Sequence, residues 1–261
     1  MILSFEIPIK YLNQIGSLND FHFCLAHLAL SSPTYLSYYR NQNKFKILDN
    51  SSFEIGSPVS NADILKAASL VNAQEVCAPD SFRDANKTID ITTEFINFMK
   101  NSGFYDKYDV MGIVQGENVP AWIACLDFMN SNSDIDTIGI SYGCCDVFNK
   151  DLMAGRLDAI KVMMQFLKVR KPIHLLGIGG NPIELKYHGP IPNLRSCDTS
   201  LPVVQGIAKN RFDPEKGSYK MKRQDNFFDL SLGADQLDTI TYNINVMKEW
   251  AVSGTNVSTI S

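Results

Sequence analysis

The stretch "VMGIVQG", residues 110–116, holds no charged side chain and shows no apolar–polar alternation until it stops at Gln115 and Gly116. A run this short and this continuous reads as a strand covered on both faces, the habit of parallel sheets. Working outward, seven more runs read the same way, at 2–9, 21–28, 45–50, 75–80, 137–143, 173–179 and 194–198. Helical patterns separate most of them. "SNADILKAASLVNA" has Ser60 and Asp63 in capping-box spacing. "DANKTIDITTEFINFMKNSG" stops at Gly103, a residue suited to a helix C-terminus. "VPAWIACLDFMNSN" has Pro120 in its first turn. "KDLMAGRLDAIKVMMQFLKV" is the longest, and "NPIELKYHG" is short. Eight strands alternating with helices predict an α/β chain folded as one (β/α)8 barrel over 1–252; a doubly wound open sheet is the alternative, and strand count is what separates them. Residues 204–235 fit the alternation poorly, a closing helix is expected at 236–252, and the tail 253–261 is expected to be disordered.

Composition narrows the classes. The chain has 261 residues, 45% of them hydrophobic, enough for a sizeable core, and its net charge of −4 advertises no global affinity for nucleic acid. No run of 18 apolar residues suggests a membrane span, and Glu6 and Lys10 interrupt what could have been a signal peptide. Six scattered cysteines form neither CxxC nor CxC, which predicts reduced thiols, a cytoplasmic setting and no structural zinc. The adjacent Cys144 and Cys145 read as packing residues.

In a barrel, chemistry gathers at the C-terminal ends of strands. Those ends carry Asp49, Asp80, Gln115 with Gly116, Gly139 with Gly143, Gly177 with Gly179, and Asp198. Taken singly, each aspartate also suits a helix N-cap. Together, three carboxylates and an amide suggest displacement at a sugar carbon, with one nucleophile and one proton-transfer group, on a ligand with fixed donors such as a purine-like base. Metal binding by the same aspartates is the rival reading, with no histidine in ligand spacing to support it.

At these residues the chain resembles the tRNA-guanine transglycosylase family. "GIVQG" matches that family's Gly-Ile-Val-Gln-Gly segment. "ILDNSSFEIG" resembles its Asp-Ser-Gly-Gly-Phe-Gln segment, "IGISYG" its Gly-Gly-Leu-Ala-Val-Gly, "LLGIG" its Met-Gly-Val-Gly, and "DTSLP" its Asp-Cys-Val-Leu-Pro, all in the family's order over about residues 45–202. The resemblance implies a (β/α)8 barrel that exchanges guanine in nucleic acid for a 7-deazaguanine. It implies Asp198 as nucleophile and Asp49 as the proton-transfer aspartate. Asp80, Gln115, Gly116 and Gly139 would read the base, and Phe53 would stack on it. Two departures stand out: Asn50-Ser51-Ser52 replaces the Ser-Gly-Gly turn, and Glu54 replaces the glutamine. The family's Cys-x-Cys-x-x-Cys zinc motif and any added RNA-binding domain are missing, and "FHFCLAHLAL … PTYLSYYR … ILDNSSFEIG" looks more like the short phage and bacterial branch that places 7-deazaguanines into DNA.

The resemblance therefore implies DNA and a free 7-deazaguanine (preQ0-like) base as partners, with no redox cofactor or ATP. A tRNA enzyme of the same family, a catalytically inactive nucleic-acid-binding subunit and a barrel glycosidase are the alternatives. If the chain is phage-encoded, it would act in the host cytoplasm. Oligomeric state, a homodimer included, is left open. Outside the motifs, His27 either touches substrate or fills the core, and His174 reads as structural. Tyr35, Tyr38, Tyr39 and Arg40 suit helix packing, with base stacking as the rival. "KNRFDPEKGSYKMKRQ" (209–224) has six basic and two acidic residues, so Lys209, Arg211, Lys220, Lys222 and Arg223 are the candidate phosphate contacts, against a solvated loop.

Overall fold

Each of the eight apolar runs forms a strand in the computed structural model, which describes residues 1–165, 167–178, 180–188, 191, 193–219 and 221–253. The strands are β1 (Ile2–Phe5), β2 (His22–Leu25), β3 (Lys46–Asp49), β4 (Glu75–Cys77), β5 (Asp109–Val114), β6 (Thr137–Ser141), β7 (Ile173–Leu176) and β8 (Leu194–Thr199). All the ladders are parallel, and the order runs β1-β8-β7-β6-β5-β4-β3-β2. No ladder joins β1 to β2. The seam is held by single bonds: Asp20 N–H to Leu3 O at 2.9 Å and Phe23 N–H to Ser4 Oγ at 3.0 Å. The result is a single-domain (β/α)8 barrel, as the strand count predicts.

Two apolar layers follow from strands buried on both sides. Phe21, Phe23, Leu25, Ile47, Cys77, Met111 and Ile113 fill the barrel interior. The opposite faces pack against the helices in a larger cluster that includes Leu48, Val76, Ile138, Trp122 and Ile240. The helix signals act where they stand. Ser60 Oγ accepts from Asp63 N–H at 3.1 Å to open Asn61–Val71. Asp84 caps Ala85–Asn101, and Gly103 beyond its end takes φ 73°. Asn118 caps Val119–Ser131, with Pro120 in the first turn.

The boundaries differ where the chain turns early. The 2–9 run ends at Phe5, opposite Thr199, the last residue of β8. The 21–28 run ends at Leu25, and Ala26–Ser31 is already helical, so His27 lies in a first helical turn rather than at a strand end. The 75–80 run ends at Cys77, which puts Asp80 in the following loop. The closing helix starts slightly earlier than the pattern suggests, at Ala234, and runs to Val252. Between Ile207 and Ala234 the described residues are irregular apart from an isolated Asp213–Gly217 bridge and a 3-10 turn at Phe227–Asp229. The tail beyond Ser253, together with Gly179 and Lys220, lies outside the described residues. No helix among the described residues is long and apolar enough to cross a membrane.

Candidate active site at the barrel mouth

Parallel strands leave their C-terminal ends at one rim, and the aspartates stand there. Asp198 is the penultimate residue of β8 and is 5% exposed. Its Oδ1 accepts from Gly177 N–H at 3.1 Å and meets His174 Nε2 at 3.1 Å. Its Oδ2 has no hydrogen-bond partner among the described residues. Gly177 sits at φ 66°, a conformation that glycine adopts without strain, and this aims its N–H at the carboxylate. The helix Leu201–Ile207 begins three residues later with Pro202 in its first turn, so the proline after Asp198 starts a helix.

Asp49 ends β3. Its Oδ2 accepts from Ser51 N–H at 2.7 Å, across a turn in which Ser51 adopts φ 65° where the resembled family has glycine. Ser51 Oγ in turn accepts from His27 N–H at 3.1 Å. Burial pushes the Asp49 carboxyl well above the usual carboxylate range, and the nearby charges of Glu54, Asp80 and Asp198 push the same way, against the Ser51 N–H. Asp49 and Asp198 stand at the C-terminal ends of β3 and β8 and Asp80 in the loop after β4, so all three lie at one rim, and the charges of Asp80 and Asp198 both act on Asp49.

Asp80 is framed by two amides: Asn50 Nδ2 donates to Oδ1 at 3.0 Å, and Gln115 Nε2 donates to Oδ2 at 2.7 Å. Burial raises its carboxyl, and these two bonds oppose the shift. Asn50 also donates to Ala78 O at 2.8 Å, which ties the β3 and β4 loops together. Gln115 Oε1 accepts from Arg83 N–H at 3.1 Å and from the Cys144 thiol, and among the described residues one of its amide hydrogens is uncommitted. The carboxylate keeps spare acceptor capacity beyond its two bonds, which suits a ligand edge rich in N–H donors.

The predicted residues divide into groups. Asp49, Asp80, Gln115 and Asp198 come together. Phe53 stands at the rim, 72% exposed, with the Arg223 guanidinium 5.6 Å from its ring centre. Gly116 and Gly139 meet protein on the side where a Cβ would stand. At Gly116 that Cβ would sit 2.4 Å from Trp122 N; at Gly139 it would meet Met111 Sδ and Leu176 at about 3 Å. Their lack of a side chain therefore serves helix packing and barrel filling. The His27 ring lies edge-on to Phe228, its Nδ1 buried with no partner among the described residues, and burial lowers its pKa.

The basic segment is dispersed. Lys209 pairs with Asp235 at 3.2 Å, and Arg211 lies over the Tyr242 ring; both belong to the flank of the closing helix. Lys222 is exposed, and Lys220 falls outside the described residues. Of the described basic residues in the segment, Arg223 reaches the mouth. There it is mostly buried, paired with Glu6 and, at 3.0 Å, with Glu54, and surrounded by the rings of Phe53, Phe227 and Phe228. Of the tyrosine cluster, Tyr35 and Tyr39 are buried, and Tyr35 Oη accepts from Leu25 N–H at 2.8 Å, which is a packing role. The six cysteines are buried and free, and among the described residues no three His, Cys, Asp or Glu side chains gather as a cation site would need.

Sequence reasoning missed His174, Glu6 and the mouth role of Glu54. The signal for His174 was its place two residues before Leu176 on β7, which puts both on the face turned to the barrel interior, where the ladder sets His174 opposite Ser196. Glu6 follows β1 directly, and its burial pushes its pKa up to about 8 despite Arg223.

The fold and the mouth define the class: a (β/α)8 barrel with three carboxylates at its C-terminal rim, one of them, Asp80, set between two side-chain amides. No family's sequence profile matches the chain. No curated protein is similar to it in sequence. Among solved structures it is similar to a Pseudomonas aeruginosa protein provisionally described as a dihydrodipicolinate synthetase, with 13% identity over 77% of this chain and 70% of that one, at a TM-score of 0.43. A likeness that low carries nothing about the chemistry.

Proposed function

We propose that this chain is an enzyme, a DNA guanine transglycosylase that exchanges guanine in DNA for a preQ0-like 7-deazaguanine base. The observation that carries the reading is the meeting of three differently furnished carboxylates in one mouth. Among the described residues, Asp198 is anchored through one oxygen only. Asp49 is biased by burial toward holding a proton. Asp80 is set on an amide frame. These are the parts a base exchange requires, and they stand in the segments that resemble the transglycosylase motifs.

The steps follow from these environments. Asp198 Oδ2 attacks C1′ of an extruded deoxyguanosine and forms a C1′–O bond as the C1′–N9 bond breaks. Asp49 supplies the proton that the departing guanine takes up. Guanine leaves, and the deazaguanine enters the same face of the sugar. It gives up a proton to Asp49 and attacks C1′, which expels the Asp198 carboxylate. Two inversions retain the β configuration. Extruding a base from the duplex costs a few kcal/mol, which a closed mouth with fixed polar groups can offset.

The test is mass spectrometry of nucleosides from DNA and tRNA of cells expressing this chain with a deazaguanine supply. Deazaguanine in DNA is the expected result. Its appearance in tRNA alone would replace this reading with a tRNA enzyme, and its absence from both would remove base exchange altogether.

A further inference from the structure

The anchored oxygen of Asp198 lies at one end of a longer chain of polar groups. It begins at the barrel base, where Arg195 makes a two-pronged pair with Glu75, Nη1 to Oε2 at 2.8 Å and Nη2 to Oε1 at 3.1 Å. Arg195 Nη1 also reaches Thr137 Oγ1, and Nε donates to Ser196 Oγ at 3.2 Å. Ser196 Oγ stands 2.8 Å from His174 Nδ1, and His174 Nε2 stands 3.1 Å from Asp198 Oδ1. His174 is fully buried, with its ring stacked on Phe23.

A strand irregularity makes this possible. Ile173 pairs with Leu194, but His174 pairs with Ser196, so Arg195 is an extra residue at a register shift between β7 and β8. Side chains on a regular strand alternate, and Arg195 would then face away from Ser196 and Asp198. The shift re-aims it, as bulges do, and puts three near-consecutive polar residues of β8 inside the barrel.

The protons along this chain have one consistent direction. A guanidinium can only donate, so Ser196 Oγ accepts from Arg195. Its own proton is then free to go to His174 Nδ1. A neutral imidazole that accepts at Nδ1 carries its proton at Nε2 and donates there. That is the tautomer an acceptor carboxylate oxygen needs.

We infer that the Glu75–Arg195–Ser196–His174 chain fixes His174 as the Nε2–H tautomer and so holds Asp198 by Oδ1 with Oδ2 turned to the mouth. His174, Ser196 and Arg195 are then positioning residues for Asp198, two of them remote from the mouth. The role assigned to Asp198 in the reaction rests on the proposed function; the tautomer does not.

The test is long-range proton–nitrogen correlation NMR on protein labelled with 15N-histidine. The chain has four histidines, and His174→Gln identifies the relevant pattern by its loss. Wild type should show the Nε2–H pattern at neutral pH, and an Nδ1–H pattern overturns the inference without any substitution. Ser196→Ala should move the Nδ1 resonance downfield, because that nitrogen loses an accepted bond; an unmoved resonance removes Ser196 and Arg195 from the chain. In the exchange reaction, Ser196→Ala should slow adduct formation about tenfold with DNA binding unchanged. His174→Gln, which keeps a donor toward Asp198, should retain more activity than His174→Ala. Equal activity of these two variants also counts against positioning. A wild type that exchanges no base would sink the proposed function, and the tautomer result would still decide this inference.

Discussion

Replacing Arg223 by methionine tests the electrostatics of the mouth most directly. The substitution keeps a long apolar side chain against Phe53, Phe227 and Phe228 but removes the cation shared by Glu6 and Glu54. Arg223 is 18% exposed at the side chain, and its two partners are less so. Removing one member of a buried ion pair costs about 3–5 kcal/mol when the remaining charge cannot escape. Here it can escape, by taking up a proton. Glu6 already titrates at about 8, raised chiefly by burial, and burial likewise raises Glu54 against the pull of Arg223.

A carboxyl raised in the folded state contributes stability that is fully present below its unfolded pKa and is lost as pH rises through the folded one. For Glu6 the window runs from 4.5 to about 8. A shift of that size corresponds to ~5 kcal/mol lost across the window. Without Arg223 both carboxyls move higher still, and the decline continues above pH 8. The variant should therefore lie within ~1 kcal/mol of wild type at pH 5 and fall ~3 kcal/mol or more below it at pH 9. Urea unfolding at pH 5, 7 and 9, read as the midpoint at constant slope, measures this. A deficit independent of pH, or larger at pH 5 than at pH 9, would refute the account of a carboxylate pair held by one cation.

The remaining predictions concern the reaction, the packing and the metal content. Asp198→Asn should abolish exchange and any covalent DNA adduct on a denaturing gel while DNA still binds; an adduct that survives would move the nucleophile to Asp49. Asp49→Asn should slow exchange severely yet can leave an adduct, because attack by Asp198 is retained. Gly116→Ala drives a Cβ to 2.4 Å from Trp122 N and 2.6 Å from its Cα. Overpacking against backbone should cost ~1–3 kcal/mol, seen as a calorimetric Tm several degrees lower. Elemental analysis of purified protein should find no stoichiometric zinc; one zinc per chain would contradict the reading of the cysteines as packing residues.

Much of this architecture was legible in the sequence because it depends on local pattern. Continuous apolar runs mark strands covered on both sides, and Ser60, Asp84 and Asn118 mark helix starts through bonds spanning three residues. Asp49 and Asp198 could be placed at the rim because strand ends in a barrel share one side. Boundaries were less legible. Leu25 gives way to a helix although Ala26, His27 and Leu28 continue the apolar run, because Tyr35 Oη and Ser51 Oγ capture the backbone N–H groups of Leu25 and His27 from elsewhere in the chain.

Only the tertiary structure decided how charge is distributed. Arg223 stands in a basic segment that suggests phosphate contact, yet its partners are Glu6, 217 positions away, and Glu54, 169 positions away. His174 looks like an ordinary buried residue of a strand, and it becomes part of the mouth only through a register shift that turns Arg195, Ser196 and Asp198 into one interior. Pattern reports which face a residue takes on its own element. Which charges meet across the barrel depends on ladder register and on where an irregular segment returns, and neither is encoded within any window of neighbouring residues.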